Sequence, residues 1–159
     1  MVHALTKRQK LARRKMAGGI VNYCVHRLKR GVKAPDFTAS QLINVIQDGL
    51  PVLELQDLQN SLALPMDRLG SLLGISKATL HRRKVGGRLG VEESDRVVRF
   101  ARLMGKAVDV LESEENARRW LASPQFGLGG AAPLDYARTE VGAREVEDLL
   151  GRIEYGVYS

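Results

Sequence analysis

Apolar residues recur at helical spacing along most of this chain, and the breaks between repeats fall at glycine and proline. From Thr38 to Gln47, Leu42, Ile43 and Ile46 predict a short helix that Gly49 and Pro51 end. From about Val52 to Leu62, Leu55, Leu58 and Leu62 line one side of a second. After the loop GGRLG, Glu92 and Glu93 stand where acidic side chains favour a helix start, and Val97, Ala101, Met104, Val108 and Leu111 form a stripe along a long helix. Arg99, Arg102 and Lys106 occupy its other face, read as solvated, with phosphate contact the alternative. Ser113 caps a further helix whose buried side is Ala117, Trp120 and Leu121, and Pro124 ends it. Trp120 reads as core. The loop SPQFGLGGAAPLDYA leads to the last helix, from about Thr139 to Tyr155. Gly142, Val146, Leu149, Leu150 and Ile153 make its apolar side; Arg144, Glu147, Asp148 and Glu154 make the wet side, with an Asp148–Arg152 pair expected at four-residue spacing. Gly156 stops this helix and leaves Val157, Tyr158 and Ser159 as an apolar-aromatic tail. The fold class is all-α.

The stretch that organises the rest is PMDRLGSLLGISKATLHRRKV, residues 65–85. Leu69, Leu72, Leu73, Ile75 and Leu80 are spaced for two short helices around one small core, broken at Gly74: the pattern of a helix-turn-helix. Pro65 suits a first helical turn, Gly74 can take the positive φ that ends a helix, and Ser76 offers an oxygen to the orphan N–H groups of the second. Gly70 is expected where the two helices approach most closely. With Leu80 pointing inward, Ser76, Lys77, Ala78, His81 and Arg82 lie on the outer face, positioned for base edges in a major groove, while Arg83, Lys84 and Arg88 would meet phosphates. Arg83 departs from the motif, which usually has an apolar residue three after Leu80; either Val85 closes the core instead or the helix is short. The alternative for HRRK is a solvated basic face on an ordinary helical hairpin.

Charge adds a direction to this picture. The net +7 is uneven: residues 1–36 carry ten Lys/Arg against one Asp, 37–90 six against four, and 91–159 nine against thirteen acids. A basic front attracts a polyanion and releases its counterions, whereas an acidic rear repels it and more naturally faces a protein. The opening TKRQKLARRK is divided by Gly18 and Gly19 from IVNYCVHRLKR, where Ile20, Cys24, and Leu28 or Arg27 fall at helical spacing. It reads as either a solubilising tail or a DNA-tracking arm. Pro35 and Asp36 mark its end, giving three expected parts: a basic arm over 1–36, a helix-turn-helix domain over 37–108 and a rear helical domain over 109–159.

Length and composition narrow the classes. A chain of 159 residues suits one domain or two small ones, and an aromatic share of 5% with Leu, Val and Ala dominant favours helices. Cys24 has no partner for an internal disulfide, no apolar run approaches membrane-spanning length, and the N-terminal residues lack the pattern of a signal peptide; a cytoplasmic location is expected. His3, His26 and His81 are scattered, without zinc spacing or an arguable Ser-His-Asp set. The segment GLGGAA at 127–132 formally matches a dinucleotide fingerprint, with Asp148 near the acidic offset, but that motif needs a strand before it, and residues 120–124 read as a helix end. No catalytic, metal-ligating or cofactor-binding residue is therefore expected, and no enzyme.

Several of these elements together carry a resemblance. They are Leu73-Gly74-Ile75-Ser76 with Thr79-Leu80-His81-Arg82-Arg83, then Glu93-Ser94-Asp95-Arg96, then Arg119-Trp120-Leu121 with Pro124, and last Pro133-Leu134, Thr139-Glu140, Gly142 and Glu145-Val146-Glu147. Over about residues 40–159 the chain resembles the Xre/MbcA/ParS family of type II antitoxins, in which a helix-turn-helix region precedes a toxin-binding domain. The resemblance implies a partner toxin with a RES domain that consumes NAD or transfers ADP-ribose. It implies, too, that the last helix and tail close the toxin's active-site cleft, and that the complex represses its own operon by binding operator DNA. It points to Arg152, Glu154, Tyr155, Gly156, Val157, Tyr158 and Ser159 for toxin contact.

Read from the residues, the chain's end is a short apolar-aromatic segment beside a helix, which marks a protein contact; the alternative is that Tyr155 and Tyr158 fold back over their own core. The leading expectation is an antitoxin and transcription repressor acting as a homodimer within a larger toxin-antitoxin complex, since operator half-sites come in pairs. The alternative is a free-standing helix-turn-helix regulator with a dimerising or sensing rear domain. A small NAD-using enzyme resting on GLGGAA is the third and weakest reading.

Overall fold

The computed structural model describes residues 19–26 and 38–156. Those residues form helices α1 (Gly19–His26), α2 (Ala39–Asp48), α3 (Leu53–Leu62), α4 (Met66–Leu73), α5 (Lys77–Gly86), α6 (Val91–Leu111), α7 (Glu114–Ala122), α8 (Pro133–Tyr136) and α9 (Glu140–Glu154), with a single 3-10 turn over Phe126–Leu128. The strand-like pairing among the described residues is one isolated antiparallel bridge between Pro51 and Arg88. The fold is all-α.

The helix ends follow local chemistry. Thr38 accepts the Gln41 N–H while the Gln41 side chain accepts the Thr38 N–H, a reciprocal capping box. Ser76, Ser113 and Thr139 each accept the N–H three residues on, opening α5, α7 and α9. Glu93 stands at the third position of α6 and accepts the Gly90 N–H at 2.7 Å, so the acidic pair at 92–93 does start that helix.

Helix α6 is the centre of the molecule. The sequence predicts a one-sided stripe, yet Val97, Val98, Phe100, Ala101, Leu103, Met104, Gly105 and Ala107 are all buried, because neighbours cover most of its circumference. Helices α1, α2, α3, α4, α7 and α9 all pack on it. Helix α1 approaches so closely that a Cβ at Gly105 would run into the carbonyl of Cys24. Trp120 is half-buried against the same core. Helix α2 is less well covered: it has no buried residue, and Ile43 is 52% exposed.

The segment expected as a basic arm contains a core element. Ile20, Val21, Cys24 and Val25 of α1 are buried, and the Glu54 carboxylate of α3 accepts the Ile20 and Val21 N–H groups, 2.9 Å each, at the positive end of that helix. Burial pushes the Glu54 carboxyl above its ordinary range, with nearby Asp57 adding to the rise and the two N–H bonds opposing it. The rest of that arm, residues 1–18 and 27–36, lies outside the described residues.

The front and rear helices share one core. The expected boundary at 108/109 falls inside α6, and polar ties bridge the two halves: Arg118 Nε donates to the Ser61 carbonyl at 2.7 Å, and Arg68 pairs with Asp135 at 2.7 Å. Ser94, fully buried, accepts the Leu50 N–H at 2.8 Å and donates to the Gly90 carbonyl at 2.7 Å, pinning the α2–α3 connection to α6.

Candidate functional site

The 65–85 stretch folds as two helices joined by a tight turn. Gly74 takes φ 66°, its N–H donates to the Ser71 carbonyl at 3.2 Å, and the Ile75 N–H donates to the Gly70 carbonyl at 2.8 Å, the paired bonds of a Schellman stop. A Cβ at Gly70 would lie 3.2 Å from the Ile75 carbonyl, so this glycine makes room for the turn rather than for the second helix. Arg96 of α6 donates to the Leu73 carbonyl at 3.1 Å, a cation at the negative end of α4. The motif is thus held by backbone bonds on one side and by α6 on the other.

Leu80 is buried, which turns Ser76, Lys77, Ala78, His81, Arg82 and Lys84 to solvent. Among the described residues, His81, Arg82 and Lys84 have no ion pair, while Lys77 makes only a loose one with Asp67 at 3.8 Å, both side chains highly exposed. Ser76 is occupied in capping, its hydroxyl lying 3.0 Å from Thr79 Oγ1. Arg83 differs from its expected role. Its Nε donates to both oxygens of Glu93, 2.9 and 3.2 Å, and the Glu93 side chain is only 12% exposed. The position the motif usually fills with an apolar side chain is therefore filled by an ion pair to α6. Neither expected alternative occurs: Val85 is 78% exposed, and α5 runs on to Gly86. Arg88 is exposed, with its guanidinium donating to the Gly49 carbonyl at 2.6 Å. On α5, among the described residues, the outward basic side chains without an ion pair are accordingly His81, Arg82 and Lys84.

Arg99 does not lie on a solvated face. It is 16% exposed and bridges Asp95, Glu140 and the Arg138 carbonyl, tying α6 to the start of α9. Arg102 is exposed and Lys106 half-buried.

At the rear, α9 buries Gly142, Ala143, Val146 and Leu150, and leaves Leu149 and Ile153 half-buried. Tyr155 follows it 78% exposed, beside exposed Glu154 and Gly156, the last at φ 66°. Tyr155 does not fold back over its own core. Arg152 is half-buried, with a sealed Nε that has no hydrogen-bond partner, and the expected pair with Asp148 does not form. Leaving such a donor unmet costs about 1–3 kcal/mol. Val157, Tyr158 and Ser159 lie outside the described residues.

The GLGGAA segment has the wrong neighbours for a dinucleotide. Helix α7 precedes it, Phe126–Leu128 is a 3-10 turn, and the four-residue α8 follows. Among the described residues there is no group of three or more His, Cys, Asp or Glu able to hold a metal, and no helix long and apolar enough to cross a membrane.

Residues 106–156 match the family described as the antitoxin Xre/MbcA/ParS C-terminal toxin-binding domain, and residues 41–102 match the antitoxin Xre-like helix-turn-helix domain. The chain is 35% identical over 134 residues to an antitoxin Xre of Yersinia enterocolitica, covering 83% of this chain and 90% of that one. It is 34% identical to an antitoxin Xre of Photorhabdus laumondii with the same coverage. A Prs ADP-ribosylating antitoxin of Sphingobium is 27% identical over 127 residues, 74% of this chain and 80% of its own.

Proposed function

Because the chain belongs to the Xre/MbcA/ParS family of antitoxins, a helix-turn-helix domain followed by a toxin-binding domain, we propose that it neutralises a RES-type toxin by covering the toxin's active site with α9 and the tail beyond it. The toxin consumes NAD or transfers ADP-ribose; the name of the Sphingobium relative, Prs ADP-ribosylating antitoxin, is in keeping with that chemistry. The observation that carries the reading is Tyr155. At the end of the last helix of a toxin-binding domain, a tyrosine that its own core does not use is exposed by 78%. Tyrosine gives large contact area at low entropic cost and is enriched among the residues that dominate interfaces. Arg152, Glu154, Gly156, Val157, Tyr158 and Ser159 belong to the same contact.

The same chain binds operator DNA and represses its own operon. Ser76, Lys77, Ala78, His81 and Arg82 of α5 face the major groove, and Lys84 and Arg88 approach phosphates; Arg83 holds the helix to α6 through Glu93. The protein acts as a homodimer on paired half-sites, in the cytoplasm. The test is co-expression with the toxin of the adjacent reading frame, with footprinting of the shared promoter. Restored growth and protection of paired half-sites are expected; persistent growth arrest with an unprotected promoter would overturn the reading.

A further inference from the structure

Phe126 is the most exposed large apolar residue among those described, at 101%, as open as in an isolated extended peptide. It is not exposed because its loop is loose. The Gln125 N–H donates to the Ala131 carbonyl at 3.1 Å, and the Gln125 carbonyl accepts from Leu128 at 3.1 Å and Gly130 at 2.9 Å. The Gln125 side chain donates back to the Trp120 and Ser123 carbonyls at 3.1 and 3.2 Å. Leu128, Pro133 and Leu134 are buried, and Tyr136 is 39% exposed. Of the loop's two aromatic rings, Tyr136 is partly covered and Phe126 is left wholly outside.

The loop is also seated on the helix that leads to the chain's end. Gly127 lies against Leu149, close enough that a Cβ there would come within 2.9 Å of the leucine side chain. Leu149 shares its face of α9 with Arg152 and Ile153, three and four residues on, so the loop that carries the ring rests on the face of α9 that runs toward the chain's end. Residue 126 falls inside the 106–156 match to a toxin-binding domain, so the exposed ring belongs to the part of the chain whose family binds a toxin.

We propose that Phe126 is a second, preformed anchor for the toxin, inserting into an apolar pocket on the toxin surface outside the cleft closed by the chain's end. This rests on the antitoxin reading above. Docking a ring already held in place forfeits little conformational freedom, and an aromatic anchor in a fully desolvated pocket typically carries a large share of binding.

The experiment uses the full chain, the Phe126→Ala variant and the toxin of the adjacent reading frame, with affinity measured by titration calorimetry. Phe126→Ala is expected to weaken toxin binding roughly 10- to 100-fold, the range of an interface hot spot. Its melting temperature and operator affinity are expected to be unchanged, because the ring touches nothing in the free protein. A variant that binds toxin as tightly as the parent would overturn the inference while leaving the antitoxin reading intact. So would a variant whose only change is loss of self-association, since the ring would then belong to a second copy. If the parent chain does not bind the toxin at all, the antitoxin reading fails first and this one with it.

Discussion

Arg83, near the end of the second helix of the helix-turn-helix, grips Glu93, in the first turn of the long central helix, through Nε contacts of 2.9 and 3.2 Å. Glu93 in turn accepts the Gly90 N–H at 2.7 Å, so one carboxylate both opens α6 and locks α5 against it. With Arg83 33% and Glu93 12% exposed, the pair is partly shielded from water, the setting in which removing one partner costs more than at an open surface. Replacing Arg83 should therefore loosen the DNA-facing helix without deleting a DNA contact. A double-mutant cycle with Arg83→Ala and Glu93→Ala is expected to give a coupling of about 1–3 kcal/mol in urea unfolding. Additive single effects would show that the two side chains do not support each other.

The outer face of α5 makes a different prediction. Arg82→Ala and His81→Ala touch no intramolecular partner among the described residues, so stability should hold. Operator affinity should fall by about 1–3 kcal/mol for each side chain that no longer reaches a base edge. Lys84→Ala should instead weaken all sequences alike and lower the salt slope by about one. Fluorescence anisotropy across a salt series separates these outcomes.

Glu54 makes stability depend on pH. Its folded carboxyl titrates above its ordinary range, chiefly through burial, so between the unfolded and folded values the folded state holds a proton that the unfolded chain has released. Its contribution is then largest below the unfolded value and declines as pH rises through the folded one. Compared with Glu54→Gln, the parent should gain stability as pH is lowered from neutral into that window. The substitution should cost about 1–3 kcal/mol, because the amide has one oxygen where the two carboxyl oxygens of Glu54 accept the Ile20 and Val21 N–H groups separately. Parallel melting curves across the acidic range test both signs.

Most of the helices were legible from spacing alone. Leu55, Leu58 and Leu62 repeat cleanly, and Ser76, Ser113 and Thr139 cap where their side chains suggest. What escaped were interactions between residues distant in sequence. Arg83 breaks an apolar pattern, and spacing cannot show that Glu93, ten residues on, stands in for the missing side chain. Ile20, Val21, Cys24 and Val25 form a compact apolar set whose burial depends on Glu54, 33 and 34 residues beyond the N–H groups it accepts. Asp148 and Arg152 have the right separation for a pair, yet the arginine turns inward where the aspartate does not follow. Phe126 was hidden in a glycine-rich loop in which Leu128, Pro133 and Leu134 do pack inward, so only the folded chain singles it out.

The most direct test of the central claim is toxin neutralisation by a chain ended after Ile153, with its helix-turn-helix intact. Co-expressed with the toxin of the adjacent reading frame, it should still occupy the operator yet fail to restore growth, because the residues proposed to cover the active site are gone. Full neutralisation by that shortened chain would contradict the account.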